Sequence, residues 1–229
     1  MTPTVSVVIP VRDGAKYLAE ALESVLTQSY QAAEVIAVDD GSQDRTPEVL
    51  AEHGRWVRVI RQGPLGLGTA LNRGIASSKA ELLAFCDSDD VWTPLKLERQ
   101  VTHLRRHPGH AGVGGLIQQF VTPDVPQLTG KVRIDVRPVA AALLGTLLLR
   151  RTAADRVGPF EETAATATTV DWVGRLRHLG LQIDALEEVV LLRRIHGGNM
   201  TMKSADQTRA RLLSALRAQL GRNRAAPRP

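Results

Sequence analysis

"LLAFCDSDDVW", residues 82–92, places Asp87, Asp89 and Asp90 directly behind an apolar run. At neutral pH these carboxylates repel one another, and a short acidic loop suits a hard cation such as Mg²⁺ or Mn²⁺. The same residues also suit a plain solvated turn, because Asp and Ser both favour turns. The loop alone does not separate the two readings. The run before it has the length of a buried strand. Cys86, the only cysteine, lies in that run and reads as an inert buried thiol.

Working outward toward the N-terminus, the first 93 residues alternate strand and helix signals. "VSVVIP" is a β-branched strand closed by Pro10, and the spacing of Leu18, Ala21, Leu22, Val25 and Leu26 predicts a helix over 15–28. "EVIAVDDGS" is a second strand, followed by a helix in "DRTPEVLAEHG" with Asp44 as its candidate cap. "VRVIRQ", "GTALNRGIASS" and "ELLAFCD" read as strand, helix and strand. Apolar strands separated by helices predict a parallel sheet covered on both faces, with ligands at the carboxyl ends of its strands. Asp39 and Asp40 end the second strand as Asp87 and Asp89 end the fourth, so both pairs are expected on one edge.

Beyond Pro94 the pattern loosens. A basic helix "PLKLERQVTHLRRH" precedes the glycine-rich "GHAGVGG" and a stretch to Arg133 that reads as irregular. The strand-like "ALLGTLLLRR", "GPFEE", a polar Ala/Thr loop, a helix "VDWVGRLRHLG" and a strand "EEVVLLRRIHGGN" follow. Residues 204–220 form an amphipathic pattern with Leu212, Leu213, Leu216 and Leu220 on one face, and "GRNRAAPRP" is a basic tail. The division expected is one domain over 1–203, in halves 1–93 and 94–203, with a terminal helix and tail over 204–229.

The totals exclude several classes. Of 229 residues, 43% are hydrophobic, enough for a core, while 3% aromatic content argues against a surface that stacks unpaired bases. The net charge of +5 allows nucleic acid, an anionic membrane or a phosphate-bearing substrate. No nucleic-acid motif accompanies it, so that partner is not expected. The N-terminus lacks the basic start of a signal peptide, and the longest apolar stretch, 139–149, is too short for a bilayer. A cytoplasmic protein with at most peripheral membrane contact is the expectation.

Two partial patterns compete for the glycines and acids. The acidic loop fits the Asp-x-Asp-x-Val motif of haloacid-dehalogenase-like phosphatases, yet that family places the motif after its first strand. Here three strands come before the one that carries it, and no downstream Lys with a second acidic pair follows in order. Gly66-x-Gly68 suggests a nicotinamide site, but Leu71 stands where a third glycine belongs and Pro64 interrupts the approach. A third pattern uses far more of the chain. "VSVVIPVRDGAKYLAEALESVLTQSY", "EVIAVDDGSQDRTPEVL", "GTALNRGIASSKAELLAFCDSDDVWTPLKLERQ", "GTLLLRR", "VGPFEE", "VDWVGRLRHLG" and "RRIHGGN" together closely resemble glycosyltransferase family 2. That family comprises inverting enzymes of GT-A fold, a Rossmann-like, mostly parallel sheet with helices on both faces.

The resemblance implies a role for each acid. The loop after the fourth strand would be the DxD motif, where Mn²⁺ or Mg²⁺ bridges the carboxylates and the two phosphates of a nucleotide-sugar. Asp89 would be the principal metal ligand, Asp87 with Ser88 would reach the sugar or ribose, and Asp90 would support the loop. Pro10 and Val11 would pack near the nucleoside, Asp40 would meet base or ribose, and Asp39 would buttress its turn. Asn72 would touch the donor, although Leu71 stands where many relatives have Arg. His196 would contact metal or diphosphate, with the Gly197–Gly198–Asn199 loop near phosphate. The general base would be Asp171, with Val170 replacing the usual preceding Glu, and Glu161 or Glu162 in reserve.

The implied reaction moves one sugar, most naturally from a UDP-sugar, to a hydroxyl on a glycan, lipid-linked glycan, peptide or small molecule. Asp171 has a structural alternative as a helix cap. A catalytically silent GT-A-like nucleotide-binding module is the rival function, with a nicotinamide-dependent oxidoreductase behind it.

Overall fold

The computed structural model describes residues 2–122, 137–140, 143–161 and 165–197. The expected terminal helix and tail, Gly198, Asn199, Glu162 and much of the irregular stretch before Arg133 lie outside the described residues.

Four strands, β1 (Val5–Val11), β2 (Glu34–Asp40), β3 (Val57–Gln62) and β4 (Leu82–Phe85), lie parallel in the order β3-β2-β1-β4. Between them run α1 (Leu18–Leu26), α2 (Thr46–Glu52) and α3 (Leu67–Ser77). All seven residues of β1 are buried, which is why its sequence is a continuous apolar run rather than an alternation. Successive side chains of β1 serve opposite faces. Val5, Val7, Ile9 and Val11 meet Leu18, Leu22 and Val25 of α1, whereas Val8 joins Leu71 of α3 on the other face.

Asp44 does not cap α2 as its N-cap residue. Its carboxylate nonetheless accepts hydrogen bonds from the Thr46 backbone N–H at 2.9 Å and from the Thr46 hydroxyl at 2.5 Å.

The sheet continues beyond β4 as β8-β6-β9-β5. Here β5 is Val91–Trp92, β6 Gly112–Val121, β8 Leu148–Arg150 and β9 Ile183–Ile195, while a short β7 (Val139–Ala140) pairs with β6. The strands β8 and β5 run antiparallel to their neighbours, whereas β6 and β9 are parallel to each other. Helices α4 (Lys96–Arg106), α5 (Arg151–Val157) and α6 (Ala165–His178) cover this half. Val101 and Leu104 of α4 join the face that carries α1, and Trp172 and Leu176 of α6 join the face that carries α3. Among the described residues, no helix is long and apolar enough to cross a membrane.

Three expectations need correction. The stretch after "GHAG" is not irregular at its start, because residues 112–121 form the ten-residue β6. Its glycines hide the strand pattern yet make the strand possible. A Cβ on Gly112 would lie 2.4 Å from Leu149 Cδ2, and one on Gly115 would lie 2.6 Å from Val190 Cγ1. The Ala/Thr segment read as a loop already belongs to α6 from Ala165 onward. Finally, among the described residues of "ALLGTLLLRR" only Leu148–Arg150 is strand, since Leu144–Thr146 forms a 3₁₀ turn before it.

Gly74 marks where α3 presses closest on β1, since a Cβ there would lie 2.3 Å from Val8 Cγ1. Gly→Ala in an open helix gains about 1 kcal/mol from propensity, but overpacking a close contact costs about 1–3 kcal/mol. Val8 is β-branched on a central strand and has little room to give. Gly74→Ala is therefore expected to lose about 1–2 kcal/mol net in chemical denaturation. Gly63→Ala, with nothing within 4 Å of the new methyl, is the control. Equal stability of the two variants would mean that the α3–β1 spacing yields freely.

Candidate active site

The carboxyl ends of β1, β2 and β4 share one edge, and the loops beyond them are tied together. Asp13 is held at φ 52° in the β1–α1 loop. Its carboxylate accepts from Gln43 N–H at 2.8 Å, and its own N–H donates to Ser42 Oγ at 3.0 Å. Gly14 N–H donates to Thr46 Oγ1 at 2.9 Å, and Ala15 N–H to Asp44 at 3.0 Å. Gly14 is required for close approach, because a Cβ there would sit 2.7 Å from Val11 Cγ2 and 3.2 Å from Ser88 Oγ. Val11 and Ser88, two expected donor contacts, thus converge on Gly14, with Pro10 buried beside Val11 in β1.

The acidic loop carries the charge problem that its sequence announced. Burial pushes the Asp87 carboxyl up to about 6, with the neighbouring Asp89 charge adding to it and Arg193 opposing. Asp87 is itself exposed, so solvent screens this shift in part. Asp90 is pushed well above the ordinary carboxyl range by burial, then by Asp87 and Asp89. Asp90 accepts the Arg194 backbone N–H at 2.9 Å and so braces the loop. Asp89 Oδ2 lies 3.0 Å from His196 Nε2, which brings together the two residues expected to serve a metal. The His196 ring rests 4.7 Å from that of Tyr17.

Arg194 organises this loop, and sequence reasoning gave it only a share of general positive charge. It is buried, and its guanidinium lies 4.6 Å from the ring centres of both Tyr17 and Phe120. The guanidinium donates to Asp89 main-chain O at 2.9 Å and to Glu20 Oε2 at 2.5 Å. Glu20 lies 174 residues away in sequence, a distance no local pattern spans. As expected, only one of the two arginines turns inward, with Arg194 buried and Arg193 half-exposed.

Other expected donor residues have work inside the fold. Asp39 Oδ1 accepts from Ser42 N–H at 3.0 Å and so stabilises its turn. Asp40 Oδ1 accepts from Gln62 Nε2 at 2.7 Å and Leu65 N–H at 2.8 Å, while Oδ2 accepts from Gly66 N–H at 3.0 Å. Its carboxylate fixes the loop that starts α3. Asn72 clamps the Phe160 backbone from both ends of its amide, donating at 2.9 Å and accepting at 2.8 Å. Cys86 is buried and its thiol is pushed well above its ordinary value by that burial, as an inert sulfur should be.

On the far half, Trp172 of α6 stacks on Phe160 at 4.5 Å and meets Phe85, the last residue of β4, edge-on at 6.3 Å. The helix carrying Asp171 therefore packs against the strand that leads into the acidic loop. Asp171 is the seventh of the fourteen residues of α6, so the helix-cap alternative does not hold. Instead Asp171 Oδ2 accepts from Arg175 Nε at 3.1 Å, and the same guanidinium donates to Val157 O at 2.9 Å and Pro159 O at 2.7 Å. Glu161 is exposed at the end of that segment.

The sequence profile "Glycosyl transferase family 2" matches residues 6–153. The chain belongs to glycosyl transferase family 2. An uncharacterized glycosyltransferase of Rickettsia typhi is 31% identical over 219 residues, covering 90% of this chain and 68% of that protein. The fold is also that of solved glycosyltransferases. Staphylococcus aureus TarS 1–349 in complex with UDP-GlcNAc superposes with a TM-score of 0.77 at 19% identity, covering 99% of this chain and 68% of that one. A Pyrobaculum calidifontis mannosyltransferase in complex with GDP-Man and Mn²⁺ gives 0.70 at 18% identity, covering 100% and 66%. The chain thus spans about two thirds of each, and its α/β domain has the GT-A architecture.

The raised Asp87 value makes a signed prediction for this glycosyltransferase without metal. Below about pH 4 the folded and unfolded chains both hold the proton, so the residue contributes nothing. Between there and about 6 the unfolded chain releases it while the folded chain keeps it, so folded stability falls as pH rises. Asn imitates the protonated acid. The stability gained by Asp87→Asn should be near its minimum at pH 4, grow up to about pH 6 and then level off, as read from paired denaturant melts. A pH-independent difference would contradict the crowding of this carboxylate.

Proposed function

We propose that this glycosyltransferase moves one sugar, with inversion, from a nucleotide-diphosphate sugar such as a UDP-sugar to an acceptor hydroxyl at the Asp87–Asp90 loop. The observation that carries this reading is the carboxylate cluster at the sheet's ligand edge, with Asp87 and Asp90 held above their ordinary range and His196 against Asp89. A lone diphosphate would worsen that repulsion, whereas a dication relieves it. Asp89 and His196, 3.0 Å apart, offer oxygen and imidazole donors that fit Mn²⁺, and the carboxylate also fits Mg²⁺, while Asp87 would reach the sugar or ribose. Bound there, the ion would supply charge neutralisation for the leaving diphosphate. Arg194 would keep Asp89 and Asp90 in place before any donor arrives. Pro10, Val11 and Ser88 would line the nucleoside side, with Asp40 and Asn72 acting through the 62–66 and 158–161 segments that they hold.

Inversion needs a base on the acceptor side, and Asp171 is our candidate. It would take the acceptor proton as the new bond forms, a contribution of about 10²–10⁴-fold. A second reading rests on the Arg175 contact: paired to a guanidinium bound to two main-chain carbonyls, Asp171 would serve as a clasp between α6 and the 157–159 segment. Glu161 would then be the base. The rival silent module would bind donor with metal but transfer nothing.

Calorimetric binding and transfer assays against UDP- and GDP-sugars separate these outcomes. With Mn²⁺ or Mg²⁺, donor should bind and turn over. EDTA and Asp89→Asn should each abolish both. Full turnover in excess chelator ends the metal reading, and tight binding without transfer to any acceptor class supports the silent module.

Asp171→Asn should leave donor affinity unchanged and lower turnover by about 100-fold or more if Asp171 is the base. The clasp reading instead predicts transfer retained in the folded fraction and a stability loss of about 1.5–3 kcal/mol, the worth of a hydrogen bond to a charged group.

A further inference from the structure

Far from the acidic loop, two imidazoles and a carboxylate meet where α4 ends. His103 Nε2 lies 2.8 Å from Asp184 Oδ2, and His110 Nδ1 lies 2.8 Å from the same oxygen. His103 is in the last turn of α4, His110 just precedes β6, and Asp184 is the second residue of β9, paired with Val113 of β6. Within "HLRRHPGH" the exposed His107 stacks on both neighbours, at 4.4 Å from the His103 ring and 4.8 Å from the His110 ring. That stack fixes the planes of both imidazoles. All three donor atoms lie within 4.8 Å of one another, and the side chains are only 18–29% exposed.

One contact is odd for a hydrogen-bonded cluster. His110 Nδ1 is buried and makes no hydrogen bond of acceptable geometry, despite its 2.8 Å distance from Asp184 Oδ2. Proximity without alignment is what two ligands of one ion show, whereas the His103 contact is an ordinary hydrogen bond. In a tetrahedral zinc site with bonds of about 2.0–2.1 Å, ligand atoms stand roughly 3.3 Å apart. Opening the two 2.8 Å contacts by about half an ångström reaches that spacing for the two imidazole–carboxylate pairs, and the two imidazole nitrogens already lie within 4.8 Å of each other.

We propose that His103, His110 and Asp184 form a second metal site, one that takes a nitrogen-preferring divalent ion such as Zn²⁺ and is separate from the acidic loop. Two imidazoles with one carboxylate select Zn²⁺ or Co²⁺ over Mg²⁺, whereas the oxygen-rich acidic loop suits Mg²⁺ or Mn²⁺. Its effect is to staple the end of α4 and the 107–110 turn to the first residues of β9. The thirteen residues of β9 extend roughly 40 Å at a strand's rise, and His196 follows directly after. The two sites therefore sit at opposite ends of one strand.

The test is a Co²⁺ titration of the full chain after EDTA treatment and dialysis, followed by visible absorption. Wild type should develop the intense bands of four- or five-coordinate Co²⁺, which Zn²⁺ removes and excess Mg²⁺ does not. Asp89→Asn should keep these bands. His110→Asn and Asp184→Asn should each weaken the binding by about 100-fold or more, given that even outer-shell partners are worth 10–100-fold. Circular dichroism confirms the fold of each variant, and His103→Gln gives a third measurement if one variant fails to fold. Absence of the bands in wild type overturns the proposal. So does their loss in Asp89→Asn with retention in His110→Asn, which would place the ion at the acidic loop and leave the histidines as a hydrogen-bonded clasp.

Discussion

Mutual repulsion among Asp87, Asp89 and Asp90 is the constraint on which the active edge depends. Three carboxylates in four positions would spread in a free turn, and here they are held by a buried cation behind them. Arg194 binds Asp89 through its main chain and Asp90 through its carboxylate, so neither interaction consumes the Asp89 carboxylate. The guanidinium is itself held between Tyr17 and Phe120, with Glu20 as counter-ion. A fixed Arg behind a cluster of acids stabilises the loop without neutralising its open face. Burial and then the remaining charge raise the Asp87 and Asp90 carboxyls, and a bound cation is the ordinary means of discharging that charge.

The donor half was legible because its physics is local. Each strand of β1 to β4 is short, apolar and followed by a turn, and parallel strands joined by helices place their ends on one edge. The sequence alone therefore puts Asp87 and Asp89 at that edge, and the resemblance singles out His196, which the structure sets 3.0 Å from Asp89. Arg194 could not be found in this way. Its position in "RRIHGG" offered two arginines, and the choice between them depended on Glu20 and Phe120, brought close only by the assembled sheet. Asp40 and Asn72 show a second thing that sequence does not display, since the structure engages the polar atoms of both with backbone of segments distant along the chain.

The far half was less legible because its order comes from long-range pairing. Gly112, Gly114 and Gly115 erase the hydrophobic alternation of β6, yet a side chain at Gly112 or Gly115 would collide with Leu149 or Val190. Small residues there are a consequence of crowding between β8, β6 and β9, which a single sequence does not display. In α6 the polar run of Ala and Thr resembles a loop because Thr has weak helix propensity. Trp172 stacked on Phe160 overrides that preference by fixing the helix against the sheet. That docking also decides what Asp171 can be: a position seven residues into a helix cannot cap it.

The strand β9 connects these observations. It begins at Asp184 beside His103 and His110, runs parallel to β6, contributes Arg194 near its end and leads into His196. Its register against β6 shifts between Gly114 and Leu116 and again before Ile117, so the strand is not a uniform ladder from one end to the other. A small change in that register would flip alternate side chains and exchange Arg193 for Arg194 at the buried position. The guanidinium that holds the Asp89 main chain and meets Glu20 would then leave its place behind the loop. Fixing the first residues of β9 to the end of α4 opposes such slippage. An anchor at the Asp184 end and an arginine at the other therefore secure the same register, and the geometry of the acidic loop depends on it.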